Sequence, residues 1–121
     1  MEGEKHLKIG RRGEKVAVDF IKKKGYKIVA KNEEDKYGEI DIIALKSKKL
    51  VFIEVRSKTG KDYGLPEETI GYYKKKKLIN NAKRYVNKNK VKIPYQIDVI
   101  GIVFNKNGEV IRKKHYKNIT I

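Results

Sequence analysis

An α/β fold, with helices flanking a mixed β-sheet in the order α-β-β-β-α-β-β, is predicted by this sequence from three observations. Two segments carry apolar residues at helical spacing, and the remaining runs are short and rich in β-branched residues. The connection Ser47-Lys48-Lys49 is short enough to make the runs on either side an antiparallel hairpin. At 121 residues the chain has room for one core and little more, and it shows no repeat or linker, so one domain over 1–121 is expected.

Residues 1–8 are polar and expected to be loose. A helix is predicted from Ile9 to Lys24, with Val16, Ala17, Phe20 and Ile21 on its buried face and Gly25 as its stop. A strand over Tyr26–Lys31 follows, then a polar turn over Asn32–Lys36. Strands over 38–46 and 50–58 form the hairpin, and Gly60, Gly64 and Pro66 make Thr59–Pro66 a loop. Pro66 suits the first turn of a long helix over 67–89, whose apolar side is Leu78, Ile79, Ala82, Tyr85 and Val86. Tyr95–Phe104 reads as a fourth strand, Asn105–Gly108 as a turn and Glu109–Tyr116 as an extra C-terminal strand.

Composition removes several functions. With no cysteine there is neither a disulfide nor a thiolate metal site, and two histidines far apart, His6 and His115, make a poor zinc site. No apolar run approaches the roughly 18 residues of a membrane span and none forms a signal-peptide core, so the expected compartment is the cytoplasm. The chain holds 31 Lys plus Arg against 15 Asp plus Glu, a formal charge of +16. Such an excess attracts the phosphates of nucleic acid. A Lys-rich genome or a high growth temperature accounts for part of it. A membrane surface fits less well, since no helix combines basic residues with large apolar anchors.

Against this basic background, several of the few acids lie inside the most apolar runs: Glu39 and Asp41 in Gly38–Ala44, Glu54 in Val51–Arg56, and Asp98 in Ile97–Ile100. A carboxylate between β-branched neighbours is costly to desolvate without a cation. Strand alternation puts Glu39 with Asp41 on one face and Glu54 with Arg56 on one face, leaving Ile40, Ile42, Ile53 and Val55 for the other. The hairpin makes Asp41 and Glu54 cross-strand neighbours. Two adjacent carboxylates repel unless a cation lies between them, and Mg2+ suits one or two carboxylates together with phosphate oxygens. Glu14 falls within the inward arc bounded by Ala17, Ile21 and Val18, although an acid at a helix start also serves the helix dipole.

The pattern Gly10-Arg11-Arg12-Gly13-Glu14-x-x-Ala17, Gly38-Glu39-Ile40-Asp41, Phe52-Ile53-Glu54-Val55-Arg56 and then Asp98 resembles the YraN family of small bacterial proteins. That family is related to restriction endonucleases and archaeal Holliday-junction resolvases, the PD-(D/E)XK nuclease superfamily. The resemblance covers about Gly10 to Val103. It implies a restriction-endonuclease-like α-β-β-β-α-β core and a metal-dependent nuclease. By position it makes Asp41 the central metal ligand, Glu54 the acid of the Glu-x-Lys element, and Glu14 the helix acid that completes the metal site. The element's lysine is Arg56 here. An arginine cannot act as a base, but it can hold a phosphate oxygen, and Lys58 shares its strand face as a possible substitute.

The expected activity is hydrolysis of DNA phosphodiester bonds with Mg2+ or Mn2+, structure-selective or weakly sequence-specific, with DNA placed ahead of RNA. Asp41, Glu54 and Glu14 would serve the metal, and Arg56 with Lys58 the transition state. Glu39 is expected at the rim or behind the ligands, and Asp98 either orients a basic side chain of the site or pairs structurally. Arg11, Arg12, Lys74, Lys75, Lys76, Lys77 and Arg84 are expected on phosphates, with Lys75 snorkelling past the apolar stripe. Tyr63, Tyr72 and Tyr73 are candidates for base stacking or for partial core. Cutting both strands takes two sites, which makes a homodimer plausible. The competing accounts are a non-catalytic binding module on a degenerate nuclease fold, and acids that serve only as ion-pair partners for the lysines.

Overall fold

The computed structural model describes residues 2–60 and 64–120, with side chains from Gly10 onward. Helix α1 spans Glu2–Lys23, β1 Lys27–Asp35, β2 Gly38–Lys46, β3 Lys49–Thr59, α2 Tyr72–Lys88, β4 Tyr95–Phe104 and β5 Val110–Tyr116. The predicted order is therefore the observed one. The five strands lie side by side in chain order, antiparallel except for β3 and β4, which run parallel. Parallel neighbours need a long crossover, and α2 supplies it.

The alternation of each central strand shows where the helices lie. Ile42, Ala44, Ile53, Ile100, Ile102 and Phe104 pack with Ala17, Val18 and Ile21 of α1. Ile43, Phe52 and Ile97, one residue out of step, pack with Leu78 and Ala82 of α2. The helices thus cover opposite faces of the sheet.

Local chemistry sets the element ends. Gly25, at φ 88°, closes α1: its amide reaches the Lys22 carbonyl, and the Tyr26 amide reaches that of Ile21. Ser47 and Lys48, at φ 51° and 63°, form a two-residue hairpin turn between paired Lys46 and Lys49.

Three boundaries differ from expectation. Helix α1 begins at Glu2 rather than Ile9, so residues expected to be loose are helical from there. Glu4, Lys5, Leu7 and Lys8 are good helix formers, and extending an existing helix avoids the cost of nucleation. The turn expected over Asn32–Lys36 contracts to Lys36-Tyr37, because Asp35 Oδ1 accepts the amides of Tyr37 and Gly38 at 2.8 and 3.0 Å. The helix expected over 67–89 is split: Pro66–Thr69 is a short 3-10 turn, and α2 starts after Gly71. Glu67 in that turn is tied to Arg112 Nη1 at 2.7 Å and to the Tyr116 hydroxyl at 3.0 Å on β5, which pins the turn to the sheet. In the loop preceding it, residues 61–63, with the candidate Tyr63, lie outside the described residues. Among the described residues no helix is long and apolar enough to cross a membrane.

Candidate functional site

Helix α1 comes very close to the sheet at one point. Gly13 is buried against Ser57 of β3, where an added Cβ would stand 2.7 Å from the Ser57 Cβ. Only a residue without a side chain allows this approach. The next residue, Glu14, is thereby carried toward Asn32 of β1 and the first residues of β2.

Across the sheet, β2 changes face at Asp41. Ile40 packs with the α2-side cluster and Ile42 with the α1-side cluster, although residues two apart on a regular strand share a face. The β2–β3 pairing stops at Ile42–Ile53, and Asp41 Oδ2 accepts the next amide, that of Val55, at 2.8 Å. Opposite, on β1, Asn32 takes φ 51°, the left-handed region that asparagine tolerates. The expected single face of Ile40, Ile42, Ile53 and Val55 is accordingly corrected: Ile40 leaves it, because the strand is irregular at Asp41.

This irregularity gathers the acids. Carboxylate oxygens of Glu14, Glu39 and Asp41 all lie within 4.8 Å of one another. The Asn32 amide, oriented with its NH2 toward them, donates to Glu14 Oε1 at 2.6 Å and Glu39 Oε1 at 2.8 Å. Glu39, expected at the rim or behind the ligands, is exposed, and its carboxylate lies within this group. Glu54 lies beside Asp41 on its other side, outside that trio. Buried to 7% exposure, Glu54 meets Lys74 Nζ at 3.3 Å and Arg56 Nε at 3.6 Å. The Arg56 Nε itself makes no hydrogen bond. The site is therefore a graded cleft, with Glu14, Glu39 and Asp41 at one end and Glu54, Arg56, Lys74 and Lys77 at the other.

The electrostatics follow from crowding. Burial first, then the charge of Glu54, pushes Asp41 up to about 8, against the Val55 amide, which favours the carboxylate. Glu14 is raised by burial and then by Glu39 and Glu54, while Lys31 and Arg11 pull it down. The group offers only carboxylate oxygens, with no imidazole or thiolate. Such a hard-donor set fits Mg2+ or Mn2+, and a divalent cation would offset the repulsion.

A sequence model described as Uncharacterised protein family UPF0102 matches residues 13–102. The chain belongs to UPF0102. Its curated relatives include a UPF0102 protein of Desulforamulus reducens, 42% identical over 113 residues that cover 91% of this chain and 93% of the relative. UPF0102 protein TTE1452 of Caldanaerobacter subterraneus subsp. tengcongensis is 37% identical over 110 residues, 89% of each chain. A UPF0102 protein of Clostridium botulinum is 39% identical over 112 residues, 91% of each chain. The span matched to UPF0102 opens at Gly13 and takes in Glu14, Asn32, Glu39, Asp41, Glu54, Arg56 and Asp98.

Not every predicted residue of this UPF0102 chain reaches the cleft. Asp98 is fully buried, and its bonds go to Gln96 Nε2 at 2.8 Å, the Asn118 amide at 2.9 Å and His115 Nε2 at 2.7 Å. These partners are structural, and none is a cleft residue. Arg12 donates to the Gly108 carbonyl at 2.6 Å and lies over the Phe104 ring, so it braces α1 against the β4–β5 turn rather than facing phosphate. Arg84 is bonded to Asp35 at 2.7 Å and to Asn81, and lies over the Tyr37 ring. Its guanidinium is committed to the β1–β2 turn.

Lys58 shares the Glu54 face but stands four residues along β3, about 13 Å away, and does not line the cleft. Arg11 stands beside Glu14, and Lys74 and Lys77 border the cleft, while Lys76 is exposed. Lys75 runs along Ile70, Val99 and Ile119, as a snorkelling side chain does. Sequence reasoning passes over Asn32 by assigning it to a turn. The available signal is an asparagine in mid-strand, a residue type that accepts positive φ.

Proposed function

We propose that this chain is a metal-dependent nuclease of the PD-(D/E)XK type that hydrolyses DNA phosphodiester bonds with Mg2+ or Mn2+. The observation that carries this reading is the cleft itself, in which close carboxylates of Glu14, Glu39 and Asp41 continue into Glu54, Arg56 and Lys74 on a strongly basic chain. A protein that only bound phosphates would be weakened by negative charge in its groove.

Glu14, Glu39 and Asp41 would hold the ion, with Glu54 beside Asp41. When bound, the ion lowers the pKa of an attacking water and neutralises charge on the phosphoryl oxygen. Arg56 presents a half-buried guanidinium whose buried Nε faces Glu54 at 3.6 Å, and its remaining N–H groups are suited to a phosphate oxygen or to the charge that grows on it. Lys74 takes the place of the missing lysine of the Glu-x-Lys element in a spatial sense, since its ammonium lies against Glu54. Asn32 orients Glu14 and Glu39, and the Val55 amide orients Asp41. With no base-reading helix among the described residues, recognition rests on backbone charge and DNA shape.

A second reading has one specific observation behind it. Glu54 is already paired with Lys74 and Arg56, the arrangement of a binding module whose catalytic acid has become structural. One experiment separates the two. Supercoiled plasmid, a four-way junction, a flap and single-stranded DNA are incubated with the protein in EDTA, Mg2+ or Mn2+, beside Glu54→Ala. Metal-dependent cutting absent from the variant supports the nuclease. Salt-sensitive binding without cutting on any substrate supports the module.

A further inference from the structure

Two large aromatic side chains stand in solvent at the start of α2, next in sequence to Lys74 of this cleft. Tyr72 and Tyr73 are 72% and 84% exposed, and their rings meet edge to face at 5.2 Å. The residue that follows them is Lys74, whose ammonium lies 3.3 Å from Glu54. Leu78 and Ala82 bury the apolar side of α2 two turns further on, so the tyrosines are not part of that stripe. Burial does not account for them.

We infer that Tyr72 and Tyr73 form a stacking platform for an unpaired nucleobase, so that the substrate carries single-stranded or splayed nucleotides beside the cleft. The inference rests on the reading that this cleft faces nucleic acid, and it names the class of substrate. The ring pair is the right chemistry for a base face, because stacking on tyrosine needs an accessible π-surface and tolerates any base. Bases within a continuous duplex hide their faces against one another, whereas a flap, junction arm or single strand exposes them. The lysines Lys74 and Lys77, which border the cleft, and the exposed Lys76 give the charge that a phosphate backbone requires on either side of such a base. A lipid surface would demand more apolar area than two isolated rings offer.

The test is equilibrium binding in EDTA of a single-stranded DNA carrying 2-aminopurine, the same sequence as RNA, a blunt duplex of equal length, and anionic phospholipid vesicles. Wild type, Tyr72→Ala/Tyr73→Ala and Tyr72→Phe/Tyr73→Phe are compared, with circular dichroism confirming the fold. The alanine pair is expected to lose roughly tenfold or more in single-strand affinity and less than about twofold on the duplex. The phenylalanine pair retains wild-type binding, and 2-aminopurine fluorescence is quenched by wild type but not by the alanine pair. Equal effects on DNA and RNA strands agree with stacking, since both expose the same ring faces.

Equal losses on strand and duplex, or no loss, overturn the platform, and if wild type still cuts DNA the nuclease reading stands without it. Tyrosine-dependent single-strand binding by a protein that cuts nothing supports the platform and removes the nuclease. Absence of binding to every nucleic acid overturns both. Tyrosine-dependent binding to anionic vesicles, with none to single strands, overturns the platform in favour of a membrane role.

Discussion

Asp41 Oδ2 accepts the Val55 amide at 2.8 Å, and at this bond the β2–β3 ladder ends and the acid cleft begins. A side chain does the work of the next backbone carbonyl. The strand is thereby released from its regular alternation, and Asp41 sits between the Glu14–Glu39 side and the Glu54 side.

Crowding at Asp41 makes the metal-free fold sensitive to pH. Its carboxyl is held up to about 8 in the fold, against about 3.9 for an unfolded aspartate. Between those values the folded state binds the extra proton, so stability is greatest below the lower value and falls as pH rises toward the upper one. Glu14 is shifted in the same direction. In thermal melts with EDTA, Tm is expected to drop from pH 5 to pH 8, and Asp41→Asn should flatten the decline. Millimolar Mg2+ or Mn2+ should raise Tm at pH 8 and have little effect at pH 5. A wild-type melt indifferent to both pH and metal would contradict this account.

Asp98 is placed by its partners as a structural acid. Asp98→Ala strands buried His115, Gln96 and the Asn118 amide, and should cost about 3 kcal/mol in urea unfolding. Metal affinity of the folded fraction, measured by calorimetry, should be unchanged.

Gly13 and Ser57 set the seat of α1. Gly13→Ala gains helix propensity, yet its Cβ collides with Ser57, for a net loss of about 1–2 kcal/mol. Because Glu14 moves with the helix, metal affinity should fall as well. Adding Ser57→Gly should recover part of both losses, seen as coupling in a double-mutant cycle.

The bases divide into those that face the cleft and those already bonded. Lys77→Ala should reduce the slope of log affinity against log salt by about 1. Arg12→Ala and Arg84→Ala should leave that slope unchanged, since their guanidinium groups are bonded to Gly108 and to Asp35. Their effect should appear in Tm instead.

Arg56 tests the chemistry. If the nuclease reading holds, Arg56→Ala should lower the single-turnover cleavage rate by about 100-fold or more, whereas Arg56→Lys should keep a substantial part of it. Equal rates in all three proteins would remove Arg56 from the mechanism.

The fold was largely legible because its determinants are local. Helical spacing around Ala17 and Ile21, alternation in β2 and β3, and Gly25 all act within a few residues of where they stand. The 3-10 turn at Pro66–Thr69 was not legible, because the contacts that fix it, Arg112 and Tyr116, lie more than forty residues away. Among the basic residues, charge type was readable but commitment was not. Arg84 looks like the other cations of its helix until Asp35 is placed beside it.

By itself the sequence determined the element order, the hairpin and the presence of acids too apolar in context to be ordinary surface charges. Those follow from periodicity and desolvation, which neighbours in the chain decide. Only the tertiary structure decided which acids meet. Regular alternation would pair Asp41 with Glu54 alone. The left-handed turn of Asn32 and the loss of a ladder bond at Val55 instead bring Glu39 and Glu14 to Asp41. Such an irregularity depends on two strands at once, and neither strand carries it alone.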